Sequence, residues 1–216
     1  MNKSRYAEEL IAAGKELYRR GLVTTRGGNL SVREGDRFLV TRTGSNLGGL
    51  SEADLIEVET EETAPISPAA SCESPVHRAI YNLTEELAIV HAHGVNAIAL
   101  AELMNGDSIR PIHNEALVGL KWIPVVQTSV PGEESGEEPE AIAAALTKWC
   151  SVVVRGHGAF TVGKSLEQAL YKMLLLEDTC HISVLVQDQK RAAAPRTIGV
   201  LKTRERVERR QMVKSD

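Results

Sequence analysis

Residues 87–91 form a short apolar run that closes on His91-Ala92-His93. A run this brief, apolar at successive positions, reads as a strand buried on both faces, hence a central strand of a covered sheet. Strand side chains alternate, so His91 and His93 point the same way. Neutral imidazole is the commonest metal ligand in proteins, and two at this spacing offer two corners of a coordination sphere. A single histidine here would more simply be hydrogen-bonded in a core.

A third imidazole, His157, follows a second apolar run in Arg155-Gly156-His157-Gly158, where the flanking glycines permit close backbone approach. Glu73 opens a helix shortly before the first strand. Three histidines and a glutamate make a complete donor set for a divalent cation that does chemistry. No Cys-x-x-Cys occurs, so zinc held by nitrogen and oxygen suits the set best, ahead of manganese, cobalt or iron. Glu73 alone also reads as a first-turn charge favourable to the helix dipole. His77, His113 and His181 read as structural.

The remaining pattern places these residues in a fold. Helical spacing predicts helices over residues 3–20, 74–82, 95–103, 139–149 and 165–186. Gly21 stops the first, Pro75 suits the first turn of the second, and Ser165 with Gln168 gives the last a capping box. Strands are expected at 30–33, 37–41, 55–59, 87–91, 123–127 and 151–154. Residues 60–72 and the glutamate-rich 133–140 read as solvated loops. The expected fold is a single three-layer α/β/α domain, residues 1–195, with a central, mostly antiparallel sheet. Residues 196–216 are expected to form a basic tail whose composition is compatible with a helix.

Two glycine-rich loops, Thr25-Arg26-Gly27-Gly28-Asn29 and Thr43-Gly44-Ser45, carry hydroxyls, an amide and backbone N–H groups that suit phosphate oxygens. Ser71-Cys72 precedes a helix N-terminus, a third anion site. Each alone is an ordinary turn. Beside a metal they point to a phosphorylated substrate.

With 216 residues the chain fits one domain. A net charge of −4 argues against a nucleic-acid partner. Its longest apolar runs fall far short of the ~20 residues that span a bilayer. The N-terminus leads into an amphipathic helix, not a signal core. Three widely spaced cysteines, Cys72, Cys150 and Cys180, are no disulfide framework and fit a reducing, cytoplasmic setting.

Gly28-Asn29-Leu30-Ser31-Val32-Arg33, Thr43-Gly44, Ser71-Cys72-Glu73, His91-Ala92-His93 and Gly156-His157-Gly158, in that order, resemble the class II aldolase/adducin-head family, nearest its L-fuculose-1-phosphate aldolase branch. The resemblance spans roughly residues 5–190. It implies a homotetramer with active sites at subunit interfaces and one Zn2+ per subunit on His91, His93, His157 and Glu73. It makes Glu73 the catalytic acid/base as well. Gly28, Asn29, Thr43, Gly44 and Ser71 would hold the substrate phosphate, with Cys72 where the family has a second serine. The implied reaction cleaves a ketose 1-phosphate to dihydroxyacetone phosphate and an aldehyde through a metal-stabilised enediolate. Related reactions are methylthioribulose-phosphate dehydration, oxo-tetronate-phosphate decarboxylation and pentulose-phosphate epimerisation; a non-catalytic adducin-like scaffold is the outlying case. The family's proton-donating tyrosine has no match, because that segment reads Ile112-His113-Asn114-Glu115.

Overall fold

Strand β4 (Ala88–Ala92) is buried along its whole length, and the architecture is arranged around it. The computed structural model describes residues 3–127 and 138–193. Before β4 come α1 (Lys3–Arg19), β1 (Asn29–Glu34), β2 (Arg37–Thr41), β3 (Leu55–Glu59) and α2 (Ser74–Leu83). After it come α3 (Val95–Leu103), β5 (Ser108–Ile109), α4 (Asn114–Gly119), β6 (Ile123–Val126), α5 (Glu138–Leu146), β7 (Ser151–Val154), β8 (Gly158–Gly163) and α6 (Leu166–Ala193). Eight strands form one sheet in the order β3-β2-β1-β4-β8-β7-β6-β5. Only β6 and β7 pair in parallel; every other neighbouring pair is antiparallel. The chain divides into two compact units after Leu185, and the fold described here is that of the first.

Alternation along the strands sorts the core into two layers. Leu30, Val32, Leu39, Val90, Val153 and Ala159 face one way and join Leu10 and Leu17 of α1, Leu100 of α3 and Leu176 of α6. Phe38, Val40, Ile89, Val152, Phe160 and Val162 face the other way and join Ile80 and Tyr81 of α2 with Ile142 and Leu146 of α5. The single α/β domain expected from sequence is therefore present, with helices on both sides of a mostly antiparallel sheet. Helix α1 shows why the pattern is legible: Ala7, Leu10, Ala13 and Leu17 fall on one face and are all buried.

Some elements depart from expectation. Strand β8 is not anticipated, because it is buried on both faces and begins and ends in glycine, which erases the alternation. Strand β5 and helix α4 emerge from a polar segment that carries no clear period. Helix α5 stops at Leu146 and α6 continues to Ala193. At the start of α6 the Gln168 N–H donates to Ser165 Oγ, while Gln168 Oε1 accepts from the Lys164 N–H, one residue earlier than in a strict capping box. The tail at 196–216 and most of the acidic 133–140 stretch lie outside the described residues.

Phe160 fills the middle of the second layer, fully buried and stacked on the His91 ring at 4.0 Å between centroids. Phe160→Ala should lower unfolding free energy by about 3–5 kcal/mol, read from urea denaturation of the metal-free protein. A loss under about 1 kcal/mol would show that the ring does not carry this packing.

Candidate metal centre

The pairing of β4 with β8 assembles the site. Ala92 lies opposite Ala159, so the end of β4 and the start of β8 meet. Just before β8, residues 155–157 turn the chain back from β7, with Gly156 in the left-handed region (φ 71°) and the His157 N–H donating to Val154 O at 3.1 Å. His91 lies within β4. His93 lies one residue past its end, so the expected strand pair is only half on the strand; the His93 N–H is instead held by Leu22 O at 2.9 Å. The two imidazoles still converge, with Nε2 atoms 3.0 Å apart. His157 closes the triangle, its ring centroid 5.0 Å from that of His91 and 5.2 Å from that of His93.

His91, His93 and His157 can each bring a ligand nitrogen within 4.8 Å of the others. Backbone prepares this. His91 Nδ1 lies 3.0 Å from Ala159 O, which can only accept, so Nδ1 carries the proton and the Nε2 lone pair faces the cluster. Gly158 is glycine for space: a Cβ there would stand 2.5 Å from Ala92 O and 2.9 Å from His93 Cδ2. Gly28 meets the same limit, with φ 77° and a would-be Cβ 2.8 Å from His91 O.

Burial, reinforced by the neighbouring His157 and His93, holds the His91 imidazole well below its ordinary value. Burial followed by His157 lowers His93 as well. Neutral nitrogens are the form a cation requires. Glu73 adds the charge: it stands at the N-cap position of α2, and its Oε1 lies 3.5 Å from His157 Nε2. The four expected ligands are thus neighbours, and three imidazoles beside one carboxylate fit a divalent cation that keeps an open position.

The expected anion loops also gather here. The Ser71 N–H donates to Thr41 O and the Thr43 N–H to Ala69 O, each at 3.1 Å, which ties the 43–44 loop to the segment before α2. Ser71 Oγ accepts the Glu73 N–H at 3.2 Å. Asn29 lies opposite His91 in the sheet register. Gly44 takes φ 68°, and Cys72 is exposed. In the Ile112–Glu115 segment, Glu115 accepts from the Tyr171 hydroxyl at 3.0 Å.

His77, read from sequence as structural, takes that role inside the core. It is fully buried, with Nε2 2.6 Å from Asn29 Oδ1 and Nδ1 2.6 Å from Ser31 Oγ, which in turn lies 2.7 Å from the Tyr81 hydroxyl. Sequence reasoning does not single out Ser31 or Tyr81. A signal exists: Glu73, His77 and Tyr81 recur every fourth residue, one face of a helix. Glu177 is also missed; it accepts the N–H groups of Asn96 and Ala97 and so holds the start of α3 just beyond His93.

The chain belongs to the class II aldolase and adducin N-terminal domain family, whose model matches residues 8–184. Its fold superposes on the crystal structure of L-fuculose-1-phosphate aldolase from Thermus thermophilus with a TM-score of 0.81 at 34% identity, covering 89% of this chain and 98% of that one. A methylthioribulose-1-phosphate dehydratase from Acidiphilium cryptum is 31% identical over 182 residues, 79% of this chain and 86% of the relative. A 3-oxo-tetronate 4-phosphate decarboxylase from Pectobacterium atrosepticum is 30% identical over 195 residues, 88% of each. Against a longer relative from Nocardia farcinica, the chain spans 37% of that protein's length. Among the described residues no helix is long and apolar enough to cross a membrane.

His93→Ala should leave the fold intact by circular dichroism and drop bound metal, by elemental analysis, far below one ion per chain. Full occupancy in that variant would remove His93 from the ligands. A second expectation concerns pH. Burial pushes His77 down to about 3, whereas the unfolded imidazole titrates near about 6.5. As pH falls through the unfolded value, the unfolded chain gains a proton that the folded chain refuses, so stability is full above that value and lost below it. His77 alone should cost about 1.4 kcal/mol between about pH 7.5 and 5.5, read by urea unfolding of metal-free protein. His77→Gln should flatten the slope by that amount.

Proposed function

We propose that this chain is a zinc-dependent aldolase that cleaves a ketose 1-phosphate of the L-fuculose 1-phosphate type to dihydroxyacetone phosphate and an aldehyde. The observation that carries the reading is the meeting of His91, His93 and His157 with Glu73 at a helix N-terminus, next to three anion-suited loops. Bound there, zinc would supply Lewis-acid polarisation of the substrate's carbonyl and adjacent hydroxyl oxygens.

The chain's own groups account for the rest. The Glu73 carboxylate transfers the proton at the carbon next to the carbonyl. Asn29, the Thr43 hydroxyl, Gly44 and Ser71, with Gly28 and Cys72 alongside, hold the phosphate. The Ser71 oxygen already accepts the Glu73 N–H, so its own hydroxyl proton remains for the phosphate. Cys72 offers only a weak donor there, and the exposed Arg26 in the first loop adds charge. Exposed Ile112, Leu117, Val118 and Trp122 around α4 support a subunit interface, consistent with a homotetramer. A cytoplasmic location belongs to the same proposal.

A second reading keeps the site and changes the reaction. The 31% and 30% identities to a dehydratase and a decarboxylase favour those two alternatives over the rest. Epimerases of the family carry aspartate at the position of Glu73, which argues against that activity. A scaffold role sits poorly with the intact His91, His93 and His157 cluster. Assaying the purified protein with L-fuculose 1-phosphate, methylthioribulose 1-phosphate and 3-oxo-tetronate 4-phosphate separates the readings. Release of dihydroxyacetone phosphate from the first supports the aldolase; turnover of only one of the others replaces it. Glu73→Gln should keep the fold and lower kcat about 10²–10⁴-fold, measured by a coupled assay. Wild-type turnover would remove the carboxylate from proton transfer.

A further inference from the structure

Beneath the metal centre, four polar side chains form a line between the sheet and α2. Tyr81, Ser31, His77 and Asn29 are joined by contacts of 2.7, 2.6 and 2.6 Å in that order. All four are buried, Asn29 at 5% exposure and the others at 1% or less. Buried polar groups cost stability unless each finds a partner, and here each is the other's partner.

Proton positions along this line follow from its last member. Asn29 Oδ1 is a carbonyl oxygen and can only accept, so His77 Nε2 must carry the proton. A neutral imidazole has one N–H, which leaves Nδ1 bare and accepting from the Ser31 hydroxyl. Ser31 Oγ then accepts from Tyr81. The line runs in one direction, from the Tyr81 hydroxyl to the Asn29 carbonyl. Asn29 is left with its oxygen committed and both N–H donors on the other branch of its amide. It lies opposite His91 in the register and directly follows Gly28, whose backbone closes against His91 O.

We propose that His77 is a positioning residue that locks the Asn29 amide so that it offers only donors to the ligand. This rests on the sugar-phosphate reading above. A phosphate dianion presents only acceptors and loses nothing to a locked donor. A sugar hydroxyl, which both donates and accepts, gains less from it. The line therefore biases the site toward phosphorylated over unphosphorylated substrates without any residue of the line except Asn29 touching them.

Nitrogen-15 NMR on the full-length, zinc-loaded protein tests the tautomer directly. The expected result is a His77 ring protonated at Nε2 and bare at Nδ1. A ring protonated at Nδ1 would mean that Asn29 donates to it, and would overturn the proposal. Function is tested with His77→Leu, Ser31→Ala and His77→Gln, titrated with inorganic phosphate and assayed with the sugar phosphate that the wild type turns over. His77→Leu should weaken phosphate binding and raise KM about tenfold, with kcat and zinc content nearly unchanged. His77→Gln, whose amide N–H can replace Nε2–H, should restore both. If His77→Leu fails to fold, Ser31→Ala decides by the same KM-against-kcat split. Unchanged phosphate affinity in the folded variants sinks the proposal. A wild type that turns over no sugar phosphate refutes the functional reading instead, and the NMR result distinguishes the two failures.

Discussion

The antiparallel pairing of β4 with β8 is the constraint on which the site depends. It sets the end of one buried strand against the start of another, so the turn carrying His157 lies beside His91 and His93. The same pairing supplies Ala159 O, which fixes the His91 tautomer, and Phe160, which stacks on its ring. A slip of one residue would reverse every side chain of the strand and break all three relationships together. Glycine at 158 is part of the same requirement, since a side chain there would collide with Ala92 O.

Burying an imidazole costs far more when it is charged than when it is neutral and hydrogen-bonded. Desolvation holds His91, His93 and His77 below the ordinary histidine range, which favours the uncharged form of these three rings. Neutral nitrogen lone pairs crowded together are tolerable, and they are what a cation needs. The negative charge that a cation would meet comes from Glu73, placed at the start of α2 where the helix dipole also favours it. Structure and chemistry pull in the same direction here: the burial that stabilises the sheet also prepares the ligands.

The family assignment and the particular reaction are different kinds of conclusion. Relatives named for an aldolase, a dehydratase and a decarboxylase lie at 34%, 31% and 30% identity. All act on phosphorylated compounds, as their names state. A cation beside an acid/base group can serve each of these reactions, and what differs is which bond of the bound substrate lies next to the acid/base.

Much of this was legible in the residues alone. The apolar run ending at His91-Ala92-His93 specified a covered central strand and two candidate ligands, because solvent exclusion and strand alternation are local consequences of composition. Helical periodicity located α1, α2, α3 and much of α6 for the same reason. Strand β8 was not legible, since a strand buried on both faces between glycines has no period to read. His77 could be seen only as a helix residue near Glu73. Its contacts to Asn29 and Ser31 span 48 and 46 positions of sequence, and only the sheet's pairing with α2 brings such distant groups into hydrogen-bond range. Local chemistry can announce which residues are able to bind a cation; which of them meet is decided by strand order, because the sheet sets their distances.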